Sequence, residues 1–139
     1  MYNFDEGAFE LPPDWQDRSL HIFEHRDPAG GDVLTITRQP AAKGKPIAQL
    51  VTEYVDDAST RMRRFELASR TTTTVGALPA VVLQFSWFHA DKGSILQQQA
   101  FIEYGDKILF LTLTSSSRTA EASVARFKGL LATFKFRRA

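Results

Sequence analysis

The chain contains no cysteine, which removes disulfide frameworks, thiolate zinc sites and thiol nucleophiles together and fits a reducing compartment. It also has almost no net charge. Seventeen Lys and Arg face sixteen Asp and Glu for a formal +1, so no broad basic field exists to hold a phosphate backbone, and nucleic acid is not an expected partner. No apolar run approaches the ~20 residues that span a bilayer. The opening Met1-Tyr2-Asn3-Phe4-Asp5-Glu6 has neither the basic nor the apolar region of a secretory signal. The expectation is a cytoplasmic protein with no direct membrane insertion.

Motifs for chemistry are missing as well. His21, His25 and His89 lack the paired spacing of a metal helix. No serine is bracketed by glycines as in a nucleophile elbow, and no glycine-rich loop opens a helix to cradle phosphate. Asp56 and Asp57 are neighbours on a helical stretch and so point in different directions. The sequence therefore predicts no catalytic residue, no metal ligand and no cofactor, and hence a protein that is not an enzyme.

What remains is an ordinary globular composition, 43% hydrophobic and 24% charged over 139 residues, without repeats or linkers: one domain over 1–139. Phe4 to Leu11 reads as a first strand stopped by Pro12-Pro13, with Trp15 anchoring the turn. Leu20 to Glu24 and Val33 to Arg38 read as a hairpin around Asp27-Pro28-Ala29-Gly30-Gly31-Asp32. After Pro46, which suits a first helical turn, Ile47, Leu50, Val51, Tyr54, Val55, Ala58, Met62 and Phe65 recur at three- and four-residue steps. That spacing lays one apolar stripe along a helix of about 47–65. Four strands follow, at about 69–75, 80–89, 94–104 and 107–115, two of their connections being Asp91-Lys92-Gly93 and Gly105-Asp106. A second amphipathic helix, from about Arg118 to Thr133, presents Val124, Phe127, Leu130 and Leu131. The fold class is α+β, an antiparallel sheet with two helices packed on one face.

Pairing His89 with Ser94 and Tyr104 with Lys107 assigns side chains to faces. One face then carries Val81, Leu83, Phe85, Trp87, Leu96, Gln98, Ala100, Ile102, Leu109, Leu111 and Leu113, an almost wholly apolar floor for both helices. The other mixes Phe88, Ile95, Phe101 and Phe110 with Gln84, Ser86, Gln97, Gln99 and Thr112. A solvated face normally carries Lys, Glu and Arg, so this surface is neither core nor ordinary exterior. Two readings stay open: a face half covered by a loop or a second subunit, or a groove for an apolar ligand that also needs hydrogen bonds.

The stretches Phe9-Glu10-Leu11-Pro12 and Trp15-Gln16-Asp17-Arg18-Ser19, followed by the aromatic strand block from Pro79 to Ser115, resemble the DcrB-like proteins and, within them, the Eag-type chaperones of type VI secretion. The resemblance runs through essentially the whole chain. It implies a Mog1/PsbP-like fold and a homodimer whose sheets cradle the N-terminal transmembrane helices of an effector, of PAAR or Rhs type, until loading onto the secretion spike. Carried onto this sequence, client binding would fall to Ile22, Ile36, Gln84, Ser86, Phe88, Ile95, Gln97, Gln99, Phe101, Phe110 and Thr112. A small-molecule or lipid-binding domain, or a Mog1-like regulatory interaction domain, are the competing readings.

Overall fold

In the computed structural model the described residues are 1–25, 31–41, 43–116 and 119–137. The expected turn over Asp27 to Gly30 and the expected helix start at Arg118 lie outside them. A small hairpin, β1 (Tyr2–Phe4) and β2 (Gly7–Phe9), precedes the main sheet. The sheet is built from β3 (His21–His25), β4 (Asp32–Pro40), β5 (Glu66–Val75), β6 (Leu78–His89), β7 (Gly93–Tyr104) and β8 (Lys107–Ser116) in the order β3-β4-β8-β7-β6-β5. Every neighbouring pair is antiparallel. Helix α1 (Ile47–Arg61) lies between β4 and β5 in sequence, and α2 (Ala120–Ala132) follows β8.

The α+β class, the antiparallel sheet and the two helices are as the sequence predicts. The placement of the helices on one face is not. Val51 of α1 packs with Val81, Leu83, Phe85, Phe101 and Ile108, whereas Phe127 of α2 packs with Ala80, Ala100, Ile102, Leu111 and Leu113. Alternate residues along β6, β7 and β8 fall into the two clusters, so the helices cover opposite faces. The sheet is therefore the middle layer of three.

The cause is one residue of register. His89 pairs with Gly93, not with Ser94, and a slip of one sends every side chain of a strand to the other face. Gly93 holds φ at +77, a left-handed conformation that costs glycine little. The His89 Nδ1 atom accepts from the backbone N–H groups of Asp91 and Lys92 at 3.1 and 3.3 Å, which ties down the three-residue loop. Tyr104 does pair with Lys107, so the predicted β7–β8 faces stand and only β6 was assigned to the wrong side.

Helix α1 ends sooner than its stripe suggests. Arg64 adopts φ +54 and turns the chain into β5, while Met62 and Phe65 still reach the α1 cluster from beyond the helix. Arg70 on β5 donates to the Thr52 hydroxyl at 2.9 Å and the Ala48 carbonyl at 2.8 Å, pinning the helix to the sheet. On the other side Arg126 of α2 pairs with the buried Asp32 carboxylate. The chain after α2 runs back over that face, with Phe134 and Phe136 stacked at 5.6 Å and the Tyr104 hydroxyl donating to the Arg137 carbonyl at 2.6 Å.

The first twenty residues pack differently from the rest. Phe4, Phe9, Trp15 and Leu20 are all exposed, Trp15 by 64%. The expected anchoring of the turn by the Trp15 ring is thus absent; its backbone N–H, donating to the Pro12 carbonyl at 3.1 Å, closes that turn instead.

Candidate functional site

The eleven residues expected to share a client surface do not share one. Ile22, Ile95, Gln97, Gln99, Phe101, Phe110 and Thr112 lie on the α1 face, through the pairings Ile22 with Thr35, Thr35 with Thr112, Gln97 with Phe85, Trp87 with Ile95, and Phe101 with both Phe110 and Val81. Ile36, Gln84, Ser86 and Phe88 lie on the α2 face, since Ile36 pairs with Leu111, Gln84 with Gln98, Ser86 with Leu96 and Phe88 with Ser94. The same one-residue register accounts for the three β6 residues in this split.

Burial narrows the set further. Phe101 is 0% exposed, held edge-on between Tyr54 at 5.3 Å and Phe110 at 5.2 Å. Ile95 is also buried. Both belong to the protomer's own core, so the expectation of Phe101 as an accessible apolar contact is corrected. Phe88 instead lies under the guanidinium groups of Arg63 and Arg64, 5.6 and 4.9 Å from its ring centre, a cation–π arrangement at the end of α1.

What remains open is the half of the α1 face away from the helix. Helix α1 packs over β6 and β7, and beyond it one row of side chains runs Leu83, Gln99, Thr112, Thr35, Ile22 across five strands. The row beside it runs Phe85, Gln97, Thr114, Val33, and a third brings Phe110 opposite Thr37. Val33, Thr35, Thr37, Thr112 and Thr114 are half-buried, while Ile22 is 58% exposed. Val33, Thr35 and Thr37 were missed from sequence. Their alternation is visible there, but their membership depends on β4 pairing with β8, which no local pattern encodes.

Several polar groups of this surface are tied to one another, although Gln99 Oε1 is buried without a partner among the described residues. Trp87 Nε1 donates to Gln97 Oε1 at 2.9 Å, and Gln97 Nε2 donates to the Thr114 hydroxyl at 3.0 Å. Gln99 Nε2 donates to the Tyr54 hydroxyl at 2.8 Å and reaches the Thr112 hydroxyl at 3.3 Å. Burial pushes the Tyr54 phenol above its ordinary pKa, outweighing the opposing hydrogen bond from Gln99. Between their ends these rows hold neutral amides, hydroxyls and apolar atoms; charge enters only at the rims, as Glu24 beside Val33 on β3 and as Arg70 beside Leu83 on β5, where the guanidinium is bonded to α1. Such a surface can lie against an apolar segment without desolvating an ion, which is the costly step in covering a charged face.

The family model for DcrB matches residues 6–133. This chain belongs to the DcrB family. It is 29% identical over 118 residues to Effector EagT6 of Pseudomonas aeruginosa, an alignment covering 84% of this chain and 81% of that one, and this bears out the Eag-type resemblance. Among solved structures, the P. aeruginosa protein of unknown function PA94 superposes with a TM-score of 0.83 at 26% identity, covering 99% of this chain and 96% of the other. The cyanobacterial PsbP of Synechocystis sp. PCC 6803 superposes with a TM-score of 0.59 at 11% identity over 92% and 98% of the two chains. That likeness is one of fold alone, and it bears out the PsbP-like architecture. Among the described residues no helix is long and apolar enough to cross a membrane.

Proposed function

We propose that this protein is a cytoplasmic chaperone that covers the N-terminal transmembrane helices of a type VI secretion effector, of PAAR or Rhs type, before the effector is loaded onto the secretion spike. The observation that carries this reading is the open, uncharged row of Ile22, Thr35, Thr112 and Gln99, placed beside the further row of Val33, Thr114 and Gln97. A membrane-spanning helix of ~20 residues must be kept from water in the cytosol, and burial against such a face returns ~25 cal/mol per Å² of apolar area. Hydroxyl and amide groups between the apolar atoms can meet the few polar groups of a client without the cost of burying a charge.

The working unit in this reading is a homodimer. Phe4, Phe9, Trp15 and Leu20 stand exposed in the first twenty residues, with the Phe4 and Phe9 rings 6.0 Å apart, and exposed apolar surface of this kind is commonly the mark of an interface. The relationship to Effector EagT6 supports the chaperone role itself.

Co-expression with an effector bearing an N-terminal apolar segment tests the proposal. Ile22→Lys combined with Thr35→Lys places two ammonium groups on the open row at positions that are exposed or half-buried. The complex should weaken roughly a hundredfold or more, because each charge would be desolvated against an apolar helix. Gln84→Lys, on the opposite face, should leave the complex intact. An effector bound and secreted equally well with the double variant would defeat the proposal.

A further inference from the structure

A cavity of about 620 Å³ lies on the α2 face, between the β3–β4 edge of the sheet and the end of α2. Its walls include Leu34, Ile36, Leu113 and Phe134, and Asp32 and Arg126 also line it. The size is within the range of small-ligand sites, which are mostly apolar with a few convergent polar groups. It is separate from the proposed client surface, since Leu34, Ile36 and Leu113 alternate with Val33, Thr35, Thr112 and Thr114 on the other side of the same strands.

The polar end of the cavity is unfinished. Asp32 is 2% exposed. Its Oδ2 is engaged by Arg126, but its Oδ1 is buried with no hydrogen-bond partner among the described residues. A buried acceptor left unpaired costs ~1–3 kcal/mol, more when it is charged, so a donor arriving there would recover that cost. The charge of the donor is constrained too. Arg126 already neutralises Asp32, and of the other charged residues at the cavity Lys135 lines it while Glu24 pairs with Val33 and so projects from the opposite side of the sheet. A cationic head would meet Arg126 and Lys135, and an anionic head has no proton to give Asp32 Oδ1.

We infer that this cavity binds a neutral amphiphile, an alkyl chain ending in a hydroxyl, with the chain against the Leu34, Ile36, Leu113 and Phe134 wall and the hydroxyl donating to Asp32 Oδ1. The site is independent of the proposed chaperone role, because it lies on the other side of the sheet.

Octan-1-ol and its isomer 1-methoxyheptane form a matched pair of probes, equal in heavy atoms but differing in the ability to donate. Titrated into the full chain with methyl-selective NMR, octan-1-ol should shift Leu34, Ile36 and Leu113, and it should bind at least about tenfold more tightly than the ether, as expected for a hydrogen bond to a charged acceptor. Asp32→Val should remove the preference and leave ether binding unchanged. Leu130, another lining residue, is half-buried, and Leu130→Trp should fill the space and abolish both while the chain stays folded. Equal affinity for the two probes would overturn the inference. So would shifts confined to Val33 and the threonines of the client face, or absence of binding because a second copy of the chain occupies the cavity, seen as concentration-dependent shifts without ligand.

Discussion

The two faces of this sheet carry similar residues but use them differently. On the α2 face the central strands present Leu34, Leu113, Ile36, Leu111 and Ala100, and the helix and the trailing Phe134 and Phe136 pack against them, leaving the cavity beside Leu34 and Ile36. On the α1 face the helix sits to one side, over β6 and β7, and the glutamines and threonines beyond it bond to one another. Gln84 and Ser86, on the α2 side of β6, join no comparable network among the described hydrogen bonds. Composition alone therefore does not make a binding surface. The position of the helix decides which uncharged polar residues become an organised, half-open face.

The largest expected effect tests the helix positions directly. Phe101 under α1 and Phe127 on α2 are both essentially fully buried, so Phe101→Ala and Phe127→Ala should each cost about 3–5 kcal/mol in urea unfolding. If Phe101→Ala were instead near neutral for stability yet abolished client binding, Phe101 would be a contact and α1 would not cover it. A smaller effect is confined to the α2 side. Gly76 has φ +54, and a Cβ there would lie 2.6 Å from Phe136 Cδ2 and 3.1 Å from the Phe134 carbonyl oxygen. Gly76→Ala should cost roughly 1–3 kcal/mol through strain and displacement of the tail, read as a lower thermal midpoint. The client binding proposed for the α1 face should persist; its loss would mean that the two faces are not separable.

Much of the architecture was legible because its signals are local. The stripe from Ile47 to Ala58 predicts α1 and the side of it that is buried, and Gly105-Asp106 predicts the pairing of Tyr104 with Lys107. The α2 stripe was legible in Val124 and Phe127, but its most buried position is Ser123, which faces Gln98 across 3.5 Å. Hydrophobicity could not find a buried serine. Nor could it fix the register of β6, because both faces of that strand are apolar enough for a core: Val81, Leu83 and Phe85 on one, Ala80 and Val82 on the other. A strand buried on both sides loses the alternation from which register is read. The two-residue turn at Gly76-Ala77 went unread for another reason. It puts Ala77 at φ +69, a conformation alanine rarely takes. The candidate site was half legible: its chemistry was visible in the residue types, and its membership waited on strand order.

The smallest effect separates the network on the α1 face from the packing beneath it. Tyr54 accepts a hydrogen bond from Gln99 at 2.8 Å, while the same Gln99 nitrogen keeps the Thr112 hydroxyl at 3.3 Å as an alternative. Tyr54→Phe should therefore cost only about 0.5–1.5 kcal/mol at neutral pH. Because burial raises the folded-state pKa of this phenol, its contribution is fully present below the unfolded value near 10. As pH rises past that value the unfolded chain ionises first, so stability falls until the folded phenol also ionises. Wild type should thus lose stability above about pH 10 more steeply than Tyr54→Phe, and the gap between them should narrow in urea titrations run at neutral and alkaline pH. Parallel pH profiles for the two proteins would show that Tyr54 is solvated, and that the helix side of the open face is looser than its hydrogen bonds imply.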